Sequence, residues 1–202
     1  MKLIFASQNQ HKRKELAQLL LPHEIIMPET FFFEETADTF TGNALGKAEH
    51  LFAQVGVPTI ADDSGIIIDA LDGAPGVLSA RYGMDAQGRE LSAPEKNLLV
   101  LEQLQQVQKA DRSARFVCSM ALVLSPYRKF VVQETVEGFI AAKPYGAGGF
   151  GYDPIFLVGT TETTMAQLSA QQKNAISHRS MAARRILTLI AQIEQSEVLH
   201  VC

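Results

Sequence analysis

A mixed α/β fold, with helices flanking one sheet, is predicted by three features of the 202-residue sequence. The chain opens in the order strand, loop, helix, strand, which is how α/β sheets begin. Two long β-type runs, residues 114–124 and 130–140, flank Ser125-Pro126-Tyr127-Arg128, which reads as a hairpin turn. A last helix over residues 178–193 keeps Ala182, Ile186, Leu189, Ile190 and Ile193 on one stripe. Parallel pairing early and a hairpin later make the sheet mixed.

The elements follow in order. Residues 2–6 read as a short buried strand. The polar turn from Ser7 to His11 leads into a helix over 12–21, with Leu16, Leu19 and Leu20 as its apolar stripe and Pro22 closing it. Residues 24–27 make a second strand. Residues 28–40 read as an irregular, acidic and aromatic loop. Residues 43–55 make a helix by the spacing of Ala44, Ala48, Leu51, Phe52 and Val55. Residues 59–61 read as a strand that stops at Asp62-Asp63-Ser64-Gly65, with an extended run resuming over 66–68. Residues 73–88 are loop-like around Pro75. Residues 94–108 form a helix with Pro94 in its first turn. A glycine-rich loop, 146–151, follows the hairpin. The hairpin is expected at the centre of a second lobe, leaving a cleft between lobes, and clefts are the usual ligand sites. The expected organisation is therefore a single domain of two lobes over residues 1–202.

Composition narrows the function classes. The chain is 47% hydrophobic and 20% charged, ordinary for a soluble globular protein and unlike a disordered or fibrous one. Its formal net charge is −4, which disfavours a partner such as duplex nucleic acid but allows a small anionic ligand held by local lysines. No segment reaches the roughly 18 apolar residues of a membrane span. The basic stretch after residue 10 does not fit a secretory leader, so a cytoplasmic location is expected. Cys118 lies in an apolar run and reads as a small core residue, and Cys202 reads as an exposed thiol.

Several constellations can carry chemistry. Ser7, Gln8, Asn9, Gln10, His11 and Lys12 link a strand to a helix N-terminus, where free N–H groups and a lysine suit a phosphate. A simple cap with a solvated lysine explains the same residues. Asp62 and Asp63 repel one another, which makes a divalent cation a natural partner, and hard oxygen ligands favour Mg²⁺ or Mn²⁺. A charged turn is the plainer alternative. Both aspartates reach one ion only if the strand bends there. Glu34 and Glu35 are candidate further metal ligands, and Lys47 shares a helix face with Asn43. The loop from Gly146 to Pro154 lets backbone approach a ligand while Phe150 offers a flat face to a base. Asp153 can accept from a base N–H. Lys173 suits phosphate, Ser177 suits an N-cap, and the Arg179 guanidinium suits a purine carbonyl.

These residues resemble the inosine triphosphate pyrophosphatase family, which acts on non-standard purine nucleotides. The matching segments are Ser7 to Lys12, Ala61-Asp-Asp-Ser-Gly65, Gly73-Ala-Pro-Gly76 with Ser79-Ala-Arg-Tyr82, Gly148 to Phe156, and Ala175-Ile-Ser-His-Arg179, in family order. The resemblance implies an elongated α/β fold with a cleft between two lobes, a homodimer, and Mg²⁺-dependent hydrolysis. ITP, dITP and XTP would yield the nucleoside monophosphate and pyrophosphate. It makes Asp63 the general base and a metal ligand, with Asp62 and one or both of Glu34 and Glu35 completing or supporting the metal site. Ser7 through Lys12 and Lys47 would hold the triphosphate, and Ser64 would contact substrate. Phe150 would stack on the base, with Gly151, Tyr152 and Asp153 lining its pocket. Lys173, His178 and Arg179 would read the base edge, Arg179 favouring a 6-keto oxygen. Gly42 departs from the pattern Phe-x-Glu-Asn-Ala of many bacterial members and removes a carboxylate near that site. Gly46 is expected to loosen its helix. The rival readings are a pyrophosphatase for another modified nucleotide and a non-catalytic nucleotide sensor.

Overall fold

Six strands form one sheet in the order β2-β1-β3-β4-β5-β6: β1 (Lys2–Phe5), β2 (Glu24–Ile26), β3 (Thr59–Ile68), β4 (Ser113–Ser125), β5 (Arg128–Ile140) and β6 (Phe156–Val158). The computed structural model describes residues 1–84 and 88–199, so Cys202 lies outside the described residues. β1 pairs in parallel with both β2 and β3, and β5 pairs antiparallel with β6, so the sheet is mixed as expected. The helices are α1 (Gln10–Leu19), α2 (Phe40–Val55), α3 (Ala93–Gln103), α4 (Ala170–Ile176) and α5 (His178–Leu199).

The chain divides into two compact units. One comprises Met1–Asp63, Cys118–Glu134 and the chain from Arg179 onward; the other comprises Ser64–Val117 and Thr135–His178. The β4–β5 hairpin therefore contributes its turn end to the first unit, not to the centre of a separate second lobe.

In the first unit, side chains alternate between two apolar layers. Leu3, Phe5, Ile60, Cys118, Met120 and Leu122 meet Leu16 of α1, Leu20 just after it, and Ala182, Ala183, Ile186 and Ile190 of α5. Ala6, Ala61, Ala121 and Val123 meet Ala44, Ala48 and Leu51 of α2. Neighbouring residues on a strand point to opposite faces, so Ile60 serves the α1–α5 layer and Ala61 the α2 layer. Small residues on the second layer bring α2 close to the sheet. Burying each leucine or isoleucine of the first layer contributes about 2 kcal/mol.

In the second unit, Ile66, Ile68, Ala114, Phe116 and Ile140 gather around Val100 and Leu104 of α3 and around Tyr152, Ile155, Phe156 and Met165. The Phe116 and Phe156 rings meet at 4.4 Å.

Several boundaries differ from the sequence reading. β3 does not stop at Asp62; it runs unbroken through Asp62-Asp63-Ser64-Gly65, although those residue types usually mark turns. α3 ends at Gln103, not residue 108, and starts from a capping box in which Glu95 Oε2 accepts from Ser92 N at 2.7 Å. α2 starts three residues early because Thr39 Oγ1 accepts from Gly42 N at 3.1 Å, and Gly56 at φ 64° ends it in the left-handed conformation. Gly46 does not interrupt it. β6 and α4 are short elements that periodicity does not reveal. Ser177 stands extended immediately before α5, with the position and backbone expected of its N-cap.

Candidate active site

The alternation of β3 decides what its two aspartates meet. Asp63 follows Ala61 onto the α2 side. Lys47 Nζ donates to Asp63 Oδ1 at 3.2 Å and to Glu35 Oε1 at 2.6 Å, so one ammonium bridges two carboxylates. Asn43, one turn earlier on α2, donates from Nδ2 to Asp63 Oδ2 at 3.3 Å. Burial raises the Asp63 pKa; Lys47 opposes the rise and Glu35 adds to it. Burial also works against the Lys47 charge, but Asp63, Asp62 and Glu35 outweigh it and raise that pKa.

Asp62 follows Ile60 onto the other side. Its Oδ1 lies 3.1 Å from Lys12 Nζ, and its Oδ2 accepts from Arg179 Nε at 3.1 Å and Nη2 at 3.0 Å. Arg179 Nη1 donates in turn to Glu15 Oε2 at 2.6 Å. Asp62 and Arg179 are 1% and 2% exposed, so these are interior charges that need their partners. Burial opposes Asp62 ionisation, yet Lys12, Arg179 and Lys47 hold its carboxyl well below the usual range. Arg179 is raised despite burial, by Asp62 and Glu15. The named groups on this face balance: two cations, two anions. Cys118 Sγ lies 3.9 Å from Asp62 Oδ2, and burial followed by the Asp62 charge pushes its thiol up to about 12.

This geometry corrects the expectation that Asp62 and Asp63 share one ion. They meet different partners on opposite sides of a continuous strand, and the carboxylate that shares Lys47 with Asp63 is Glu35. Glu34 is exposed next to it. The Asp63–Glu35 pair fits a hard divalent cation by the chemistry of its donors, two carboxylates brought to one point. Among the described residues no cluster of three or more His, Cys, Asp or Glu forms a complete cage. Two protein carboxylates with water and phosphate completing the shell is the usual manner for Mg²⁺.

The loop before α1 is built as a cap. Asn9 Oδ1 accepts from His11 N and Lys12 N, and Ser7 Oγ accepts from Asn9 N at 3.1 Å. Gln8 Nε2 donates to the Pro28 carbonyl. Gln8, Asn9, Gln10 and His11 are exposed, with Ser7 and Lys12 half-buried. The cap and the anion site proposed from sequence thus occupy the same residues.

In the second unit the glycine loop closes on Asp153. Its Oδ2 accepts from Phe150 N at 2.8 Å and from Lys173 Nζ at 2.7 Å. Lys173 also stands over the Phe150 ring, 4.7 Å from its centroid. Gly149, at φ 68°, leaves room for that carboxylate; a Cβ there would collide with Asp153 Oδ2. Tyr152 is buried and donates to the Ser79 carbonyl at 2.9 Å. His178 is buried and stacks on Phe116 at 4.8 Å. Ser64 is half-buried on β3.

Sequence reasoning placed Arg179 against a base carbonyl; its described partners are Asp62 and Glu15. It missed Glu15, hidden in a basic run, and Asn97, which donates from α3 to the Gly151 carbonyl at 3.2 Å. It used Asn43 only to place Lys47, although a polar residue ahead of Ala44 and Ala48 on one face was itself a signal.

Comparison with known proteins gives a consistent result. The sequence model of the Ham1 family matches residues 3–189. The chain is 47% identical over 186 residues to a dITP/XTP pyrophosphatase of Treponema denticola, covering 90% of this chain and 94% of the relative. It is 42% identical over 199 residues to a dITP/XTP pyrophosphatase of Coxiella burnetii, covering 95% and 98%. Among solved structures, a HAM1 protein from Coxiella burnetii superposes with a TM-score of 0.83 at 40% identity, covering 95% of this chain and 99% of that one. The Ham1 protein of Staphylococcus aureus gives 0.82 at 36% identity, covering 95% and 99%.

Proposed function

This chain belongs to the Ham1 family, and from that premise we propose that it hydrolyses the triphosphates of non-standard purine nucleosides, ITP, dITP and XTP, to the monophosphate and pyrophosphate. The observation that carries this reading is the Asp63–Lys47–Glu35 group: a buried carboxylate with a raised pKa, an ammonium beside it and a second carboxylate on that ammonium.

Each residue has a chemical task in this proposal. Asp63 takes the proton from the attacking water as its oxygen bonds to phosphorus, and the bridge between the α and β phosphates breaks. The departing pyrophosphate keeps the electron pair of that bond. Lys47 and Lys12 draw charge from the phosphates, and the Asn9 cap sets the direction of the α1 N-terminus toward them. Glu35 and Asp63 would hold Mg²⁺, or Mn²⁺ in its place, which when bound supplies neutralisation of developing phosphate charge. Asp62 stays on the opposite face and keeps Lys12 and Arg179 in place.

The base falls to residues of the glycine loop. Phe150 offers its ring to the purine, with Gly151, Tyr152 and Asp153 shaping the surroundings and His178 braced on Phe116. Lys173 is a donor only, so it suits a 6-keto oxygen and gives nothing to the 6-amino group of adenine. Ser64 would touch substrate from β3. A homodimer, which rests on the family resemblance, and a cytoplasmic location, which rests on the N-terminal sequence, belong to the same proposal; no helix among the described residues is long and apolar enough to cross a membrane.

The test is a product assay on purified protein with Mg²⁺ and, separately, ITP, XTP, GTP, ATP and dTTP. The expected products are IMP and pyrophosphate from ITP, with ATP nearly untouched. Orthophosphate and a diphosphate would overturn the cleavage site. Preference for dTTP would overturn the base reading, and binding without turnover would favour a sensor.

A further inference from the structure

Two glycines in the helix that carries Lys47 have no part in that chemistry. Gly42 and Gly46 lie one turn apart in α2 and so share a face, one step round from Asn43 and Lys47. Both are helical, so left-handed conformational freedom does not explain them, and glycine is disfavoured in a helix interior. Room explains them. A Cβ on Gly42 would lie 2.8 Å from the Ala37 methyl and 3.0 Å from Thr39 Oγ1. A Cβ on Gly46 would lie 2.7 Å from Phe33 Cζ. Carbon atoms in contact keep about 3.5–4.0 Å.

The segment seated on these glycines is the one that carries Glu35. Phe33 covers Gly46 at one end and Ala37 covers Gly42 at the other. The Asn43 side chain fixes the Ala37 end twice: its Oδ1 accepts from Ala37 N at 3.1 Å, and its Nδ2 donates to the Ala37 carbonyl at 3.2 Å. The Ala37 methyl therefore moves only with its backbone. At the Gly46 end, Phe33 also lies against His50, with ring centroids 5.6 Å apart. Glu35 sits midway between the two anchors, with its carboxylate on Lys47.

We propose that Gly42 and Gly46 form a seat for residues 33–37 that positions Glu35 beside Asp63, and that this seat sets the affinity of the carboxylate pair for a divalent cation. The second half rests on the metal reading above. The glycine at 42 is then required by the alanine at 37: a side chain at 42 needs a glycine at 37.

The test uses the full-length protein and Mn²⁺ alone, titrated by water-proton relaxation, with limited chymotrypsin digestion as a second readout. Phe31, Phe32 and Phe33 supply cleavage sites in the seated segment. Gly42→Ala is expected to weaken Mn²⁺ binding about tenfold, the lower end for losing support of a metal ligand, and to speed cleavage in this segment severalfold. Gly42→Ala with Ala37→Gly removes the closer of the two contacts, that with the Ala37 methyl, and is expected to bring both readouts within about threefold of the wild type, because contacting residues are coupled. Gly46→Ala has the smaller effect, since the tip of the Phe33 ring can swing aside. Unchanged affinity and cleavage in Gly42→Ala, or failure of the second substitution to restore them, overturns the seat. A Glu35→Gln variant that binds Mn²⁺ as the wild type does overturns the metal reading and the affinity half of the proposal, while the cleavage rates decide the seat by themselves.

Discussion

On the α1–α5 face of β3, Asp62 meets Lys12 and Arg179, and Glu15 completes the group; on the α2 face, Asp63 meets Lys47, which Glu35 also occupies. The two aspartates are adjacent and both buried. Their pKa values nonetheless move in opposite directions, Asp62 down and Asp63 up, because cations dominate one face and burial dominates the other. A carboxylate held permanently ionised between two cations is a poor proton acceptor. One whose proton affinity is raised is a better base. In the proposed mechanism, adjacent positions of one strand thus divide the work between holding cations in place and reacting.

That comparison can be broken at either face. The largest effect is expected on the α2 face: Asp63→Asn should lower kcat about thousandfold, within the range for removing a general base, while nucleotide binding by calorimetry stays close to the wild type. Near-normal turnover would move the base elsewhere. On the α1–α5 face, Arg179→Met leaves Asp62 buried with one cation fewer. Breaking such a pair costs about 3 kcal/mol or more, so the melting temperature should fall by roughly 6–12 °C. An unchanged melting temperature would mean that Lys12 alone suffices. In the second unit, Gly149→Ala puts a Cβ against the Asp153 carboxylate and is expected to raise KM for ITP about tenfold with a smaller change in kcat, because it would disturb the proposed base site and not the reacting group. The smallest effect concerns Cys118. With its thiol pushed up to about 12, it should resist iodoacetamide at pH 8 in the native protein and react once unfolded, since only the thiolate attacks.

Much of this division was hidden in the sequence for one physical reason. Elements with plain periodicity were legible: residues 2–6, the hairpin runs and the α5 stripe all fall on real elements. Asp62-Asp63-Ser64-Gly65 read as a break because exposed residues of those types make turns. In the fold, Lys12, Arg179 and Lys47 arrive from three different helices and make the charges tolerable inside a strand. Local propensity contains no record of them. Arg179 shows the same limit: its motif was visible, but its commitment to Asp62 and Glu15 depends on how α1 and α5 share one face. Gly42 read as a missing carboxylate, and Gly46 as a weak point, since the Ala37 and Phe33 side chains that fill their space come from an irregular loop with no period to read. The acidic loop itself was legible as loop, and Glu35 as a candidate, but choosing Glu35 over Asp62 as the partner of Asp63 required knowing that β3 runs on through both aspartates.

The division of labour along β3 is tested most directly by kcat for ITP with Mg²⁺ in Asp62→Asn and Asp63→Asn, measured side by side with their melting curves. The account predicts that Asp62→Asn keeps turnover within about tenfold while melting at a lower temperature, and that Asp63→Asn loses about thousandfold in kcat. An equal loss of kcat in both variants, with wild-type melting in Asp62→Asn, would contradict it and make the two carboxylates partners in the same chemistry.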